Sequence, residues 1–133
     1  MAVDLLSQAE HDEMASSILI TPSQNLANTV KIKIEDWLKK LPRQEIARKS
    51  IAMRGAIIVT RDMDEAIDLM NQIAPEHLEI ATNNAFELLA SIKHAGAIFL
   101  GHYTPEAIGD YMAGPNHTLP TGGTAKFYSP LGV

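Results

Sequence analysis

Apolar residues along the chain alternate between two spacings, recurring every third or fourth position in some stretches and running almost without interruption in others. The first spacing predicts amphipathic helices and the second short buried strands. Leu5, Leu6 and Ala9 set a helix from Asp4 to about Glu13, and the run S-I-L-I-T at 17–21 reads as a strand closed by Pro22. Ser23 is placed as an N-cap. Behind it Leu26, Val30, Ile34, Trp37, Leu38 and Leu41 form the inward stripe of a long helix that Pro42 interrupts. A second helical piece is expected from about Arg43 to Met53, and Gly55 then opens A-I-I-V-T at 56–60, the pattern of a strand buried on both faces.

Asp62 with Glu65 three residues on is a capping-box pattern for a helix through about Gln72, with Ala66, Leu69, Met70 and Ile73 facing inward. A strand follows over His77–Ala81, then a helix capped by Asn83 from Ala85 to about His94, then the strand A-I-F-L-G at 97–101 after Gly96. Thr104-Pro105-Glu106 starts a helix to about Met112, because proline suits the first helical position. The last twenty residues hold three prolines and four glycines and read as an ordered, turn-rich loop. Strands alternating with helices make this an α/β protein, a layered and mainly parallel sheet of about four strands flanked by helices, in a single domain over 1–133.

Composition narrows the chemistry more than the fold. A net charge of −5 argues against a nucleic-acid surface, and the basic residues of 31–43 are spaced as a solvated helix face. No apolar run approaches the length needed to span a bilayer. The N-terminal M-A-V-D-L-L-S-Q-A-E-H lacks a basic region ahead of its apolar residues, so no signal peptide and a cytoplasmic location are expected. The absence of cysteine removes disulfides, thiolate metal sites and cysteine nucleophiles together.

Three groups of polar residues remain. In S-Q-A-E-H, Gln8 and His11 would share a helix face, where an amide oxygen and an imidazole nitrogen can meet one ion, although two such residues are also ordinary on a solvated surface. In A-P-E-H-L-E-I, Glu76 and His77 enter a strand after a proline. Adjacent residues of a regular strand face opposite ways, so the pair either decorates a turn or shares a cleft as two general bases at an irregular strand mouth. In G-D-Y-M-A-G-P-N-H, Asp110 offers a hard oxygen ligand from a helix, and His117 braces the loop behind it. The G-G-T at 122–124 lacks the dinucleotide-binding spacing, and no P-loop is present.

Taken in order, D-L-L-S-Q-A-E-H, A-P-E-H-L and G-D-Y-M-A-G-P-N-H-T-L-P-T-G-G-T-A-K-F-Y-S-P-L-G-V resemble histidinol dehydrogenase, the zinc-dependent enzyme of the last step of histidine biosynthesis. The resemblance implies a segment of a larger catalytic domain, an incomplete Rossmann-like unit, whose parent oxidises L-histidinol to L-histidine with two NAD. It implies that Gln8, His11 and Asp110 are zinc ligands that also meet substrate, the fourth ligand being a histidine from the partner subunit of a homodimer. His77 would touch substrate and take the alcohol proton, Glu76 would activate water, and His117 would support the site. It assigns no NAD contacts within these residues. An alcohol-to-acid oxidation without a thiol suits the missing cysteine, since activated water must add to the aldehyde instead. The resemblance further implies that these 133 residues alone do not turn over.

Two rival readings stay open. A phosphoacceptor module would suit the size and alternation and would use Asp62 or Glu76, but the first strand ends in Thr21-Pro22 where an acid is required. A noncatalytic interaction domain would instead use an exposed face that the full enzyme would bury.

Overall fold

The computed structural model describes residues 1–106, 112, 114 and 118–130, grouped into two units, Met1–Ala66 and Ile67–Val133. In the first, α1 (Ala2–Ala9) turns Leu6 and Ala9 inward, and both are essentially fully buried. It ends four residues before the expected Glu13. The Glu10 N–H still bonds Leu6 O at 3.0 Å, but Asp12 Oδ1 accepts from Met14 N–H at 2.7 Å. A short acidic side chain that captures a local N–H competes with the helical bond at that position. Strand β1 (Ser17–Thr21) follows the loop as expected.

Helix α2 (Gln24–Leu38) begins where Ser23 Oγ accepts from Leu26 N–H at 3.2 Å and buries Ala27, Val30, Ile34 and Leu38. Trp37 departs from the expected stripe. It is exposed, and Lys40 Nζ lies 4.8 Å from its ring centre, so the indole covers the outer face with a cation against it. The remaining lysines of the stretch are exposed, as a solvated face requires. Helix α3 (Gln44–Arg54) runs into β2 (Gly55–Val59) without a loop. This junction needs glycine because a Cβ on Gly55 would lie 2.6 Å from Ile51 O.

Strands β1 and β2 are parallel, in register from Ser17 opposite Gly55 to Thr21 opposite Val59, with α2 and α3 as the crossover. Leu6, Ala9, Val30, Ile34, Leu38 and Ala47 form the core, with Leu5, Leu19, Ile51 and Ile57 packed against it. Burying a side chain such as Leu38 contributes about 1.5–3 kcal/mol. Contrary to expectation, β2 is not buried on both faces: Ala56 and Val59 are exposed. β1 is its one strand partner among the described residues, so the other edge of β2 is unpaired there.

Helix α4 (Met63–Ile73) opens with its expected cap. Asp62 Oδ1 accepts from Glu65 N–H at 2.8 Å, and Glu65 Oε2 reaches back to Arg61 N–H at 2.7 Å. In the second unit, β3 (His77–Ile80) and β4 (Ala97–Leu100) pair in parallel from His77 opposite Ala97 to Ile80 opposite Leu100. All four expected strands form and run parallel, grouped as two pairs rather than one four-stranded sheet among the described residues. Each pair is joined by a crossover through helices, as parallel neighbours require.

Helix α5 (Ala85–Leu88) is shorter than expected. It tightens into a 3₁₀ turn at Leu89–Ser91, and its N-cap is Asn84 rather than Asn83. The Asn71 side chain explains the early end. Its Oδ1 accepts from Lys93 N–H at 2.7 Å and His94 N–H at 3.3 Å, while its amide donates to Ser91 O at 3.0 Å. Near the C-terminus, Gly122 and Gly123 take φ of +59° and +81° ahead of a 3₁₀ turn at Thr124–Lys126, as a turn-rich loop requires. Beyond Glu106 most of the expected helix to Met112 lies outside the described residues. Among the described residues no helix is long and apolar enough to cross a membrane.

Candidate active site

The stretch Ala74-Pro75-Glu76-His77 is the turn between α4 and β3. Ala74 is fully buried and adopts φ +52°, with its N–H on Met70 O at 2.9 Å. A left-handed residue ends the helix and Pro75 prevents its continuation, so the chain is redirected at once. Left-handed backbone costs a non-glycine residue about 1–2 kcal/mol. Glu76 occupies a bend, and β3 begins only at His77. The alternation that would separate neighbouring side chains therefore does not yet apply to Glu76. The pair stands at the amino end of β3, whereas the general rule for such sheets places ligands beyond the carboxyl ends.

The chain before β4 clamps this mouth through its backbone. Gly96 N–H donates to Pro75 O at 2.9 Å and Ala97 N–H to Glu76 O at 2.8 Å. A Cβ on Gly96 would lie 2.5 Å from Glu76 O, so the approach is open to glycine alone. Among the described residues the Glu76 carboxylate, half-buried, is engaged in no hydrogen bond or ion pair. An acceptor in that condition is available to an incoming proton donor.

His77 is held more closely. Its ring centre lies 6.2 Å from that of Phe99 on β4, tilted by 36°, and its Nε2 lies 3.8 Å from Glu106 Oε1. Glu106 is in turn fixed by its own N–H, which donates to Glu79 Oε1 at 2.9 Å. Glu106 and Glu79 are the neighbours that the motif reading missed. Thr104-Pro105-Glu106 signals a helix start, and nothing in local spacing ties that start to a strand 29 residues earlier. The visible signal for Glu79 was its place two residues beyond His77, hence on the same strand face.

In the first unit, Gln8 lies in the last turn of α1 and His11 just beyond it, with His11 N–H on Gln8 O at 3.3 Å. The expected shared helix face is replaced by a helix end plus a turn. That turn is pinned to α3: Arg43 donates to His11 O at 3.4 Å, Lys49 Nζ meets Glu13 Oε1 at 2.8 Å, and buried Ser50 donates to Ala15 O at 2.9 Å. Neither the Gln8 nor the His11 side chain is engaged in a hydrogen bond among the described residues. An amide oxygen and an imidazole at the carbonyl end of a helix, where the peptide dipoles leave partial negative charge, fit a cation. Asp110 and His117 lie outside the described residues, and among the rest no three His, Asp or Glu form a metal cluster.

A family model described as histidinol dehydrogenase matches residues 1–133. Histidinol dehydrogenase of Sulfurimonas denitrificans is 81% identical over 133 residues, all of this chain and 31% of that protein. That of Geobacter sulfurreducens is 62% identical over 133 residues, again all of this chain and 31% of that protein. A crystal structure of histidinol dehydrogenase from Elizabethkingia anophelis matches with a TM-score of 0.94 at 40% identity, covering 98% of this chain and 30% of that one. The chain thus spans under a third of the length of these relatives. Since the family model matches from the first residue to the last, the chain belongs to the histidinol dehydrogenase family.

Proposed function

We propose that this chain carries part of the active site of a cytoplasmic, homodimeric enzyme that oxidises L-histidinol to L-histidine through histidinaldehyde, in histidine biosynthesis. The observation that supports it is the Glu76-His77 pair at an irregular strand mouth, clamped through Gly96 and Ala97, in a chain matched by the family model throughout. His77 is the base for the alcohol: its imidazole takes the hydroxyl proton as the carbinol C–H electron pair departs. Glu76 is the base for the second half. Its carboxylate takes a proton from water as the oxygen adds to the aldehyde carbon, giving the hydrate's monoanion, whose carbon then loses a hydride to leave the acid.

Gln8, His11 and Asp110 would hold zinc, with a fourth ligand from the partner subunit. Zinc held by these residues would supply a fixed charge that positions the substrate's amine and imidazole, and a bound NAD would supply the hydride acceptor for both oxidations. Gln8 and His11 fit such an ion through unengaged side chains at a helix carbonyl end, and the same two with His77 and Asp110 would contact substrate. His117 would support the site from the loop. A set with an amide oxygen in it binds weakly, so the 133 residues alone are expected to hold zinc poorly and to form no NADH from histidinol.

The test uses the longer enzyme that contains this segment. His77→Asn is expected to lower kcat for histidinol-dependent NADH formation by about 10²–10⁴-fold, and His11→Ala to lower the zinc content measured by mass spectrometry. Wild-type kcat in the first variant would refute the role of His77, and unchanged zinc in the second would refute the ligand assignment.

A further inference from the structure

Glu106 has no part in the chemistry above, yet its side chain is 13% exposed and its Oε1 faces His77 Nε2 at 3.8 Å. A carboxylate removed from water to that extent carries a desolvation cost unless something nearby favours its charge. The strand supplies the placement. His77 and Glu79 project from the same face of β3, and Glu79 Oε1 accepts the Glu106 N–H at 2.9 Å. That bond fixes the Glu106 backbone, and the carboxylate then falls opposite the imidazole two residues up the strand. Phe99, buried on the neighbouring strand, bears on the same imidazole.

At 3.8 Å the contact is longer than a hydrogen bond but well within the range over which unlike charges couple. Such contacts around catalytic groups often tighten only when substrate is bound. We propose that Glu106 is a positioning residue for His77, holding the imidazole ring in its working orientation and facing the positive charge that forms when the ring takes the alcohol proton. This rests on the reading of His77 as the base. The O–H proton ends on the imidazole, and Glu106 neither gains nor loses one. Glu79 acts one step further back by holding Glu106.

The experiment is a double-mutant cycle in the longer enzyme, with Glu106→Gln, Glu106→Asp, His77→Asn and the Glu106→Gln/His77→Asn pair. Glu106→Gln keeps the size and the backbone bond to Glu79, so the melting temperature should hold while kcat falls about 10–100-fold with KM little changed. Glu106→Asp keeps the charge and should retain a higher kcat than Glu106→Gln. In the His77→Asn background, Glu106→Gln should cause no further loss, because a residue acting through another has nothing left to act on. Wild-type kcat in Glu106→Gln overturns the proposal, as does an equal loss in both backgrounds, an aspartate variant no better than the glutamine one, or a loss matched entirely by a lower melting temperature. If His77→Asn itself keeps wild-type kcat, the reading of His77 fails first. If His77→Asn is impaired and Glu106→Gln is not, the role of Glu106 alone fails.

Discussion

Gly96→Ala tests how tightly the mouth of β3 is built. The added methyl would stand 2.5 Å from Glu76 O and 3.3 Å from both the C and Cα of Glu76. Both sides of this contact are backbone, so no rotamer change relieves it, and the two segments must part by roughly 1 Å. Parting strains or breaks Gly96 N–H to Pro75 O and Ala97 N–H to Glu76 O, at 2.9 and 2.8 Å. Two backbone bonds at about 1 kcal/mol each, plus the cost of carbonyls left poorly paired, give a destabilisation of about 2–4 kcal/mol. Thermal unfolding followed by circular dichroism should show a midpoint lower by roughly 10 °C. In the longer enzyme kcat should fall by about 10²-fold, because the same displacement moves Glu76 and His77. A variant that melts within about 1 °C of the parent and keeps its kcat would show that Gly96 does not set the position of the pair.

Two further outcomes follow from the first unit. Ser50→Ala removes the fully buried hydroxyl that donates to Ala15 O at 2.9 Å, and leaving that carbonyl without its donor should cost about 1–3 kcal/mol in urea unfolding; no change in the midpoint would contradict the tie between α3 and the loop of His11. Arg61 holds the exposed Glu65 carboxyl below its usual range, first through its backbone N–H and then through its guanidinium. A carboxyl lowered in the folded state contributes stability that is complete above its unfolded value and disappears as pH falls through the folded one. The melting temperature of the parent should therefore drop more between pH 6 and pH 3 than that of Glu65→Gln, and parallel curves would count against the capping role.

Local periodicity carried much of the architecture. The Ser23 cap, the Val30-Ile34-Leu38 stripe and the Asp62-Glu65 cap each depend on residues within one or two helical turns, so they were legible. The departures share the opposite cause. Asn71 ends α5 from about twenty residues away, and the loop of His11 is anchored by Arg43, 32 residues on. The motifs singled out Glu76 and His77 as residues, but the irregular bend that frees Glu76 from strand alternation depends on a left-handed Ala74, which no residue type announces. Glu106 was hidden for the same reason, since its contact with His77 closes across β4 and the turn after it. Gln8 and His11 were legible as a pair, though the helix expected to carry both ends at Ala9 and gives way to a turn in which His11 N–H bonds Gln8 O.

Single-turnover NADH formation with each half-substrate tests the proposed division of labour between Glu76 and His77 most directly. In the longer enzyme, Glu76→Gln should form NADH from histidinol in the alcohol half but fail with histidinaldehyde, while His77→Asn should be slow with histidinol and retain the aldehyde half. Equal impairment of both halves in both variants would contradict separate roles for the acid and the imidazole at the mouth of β3.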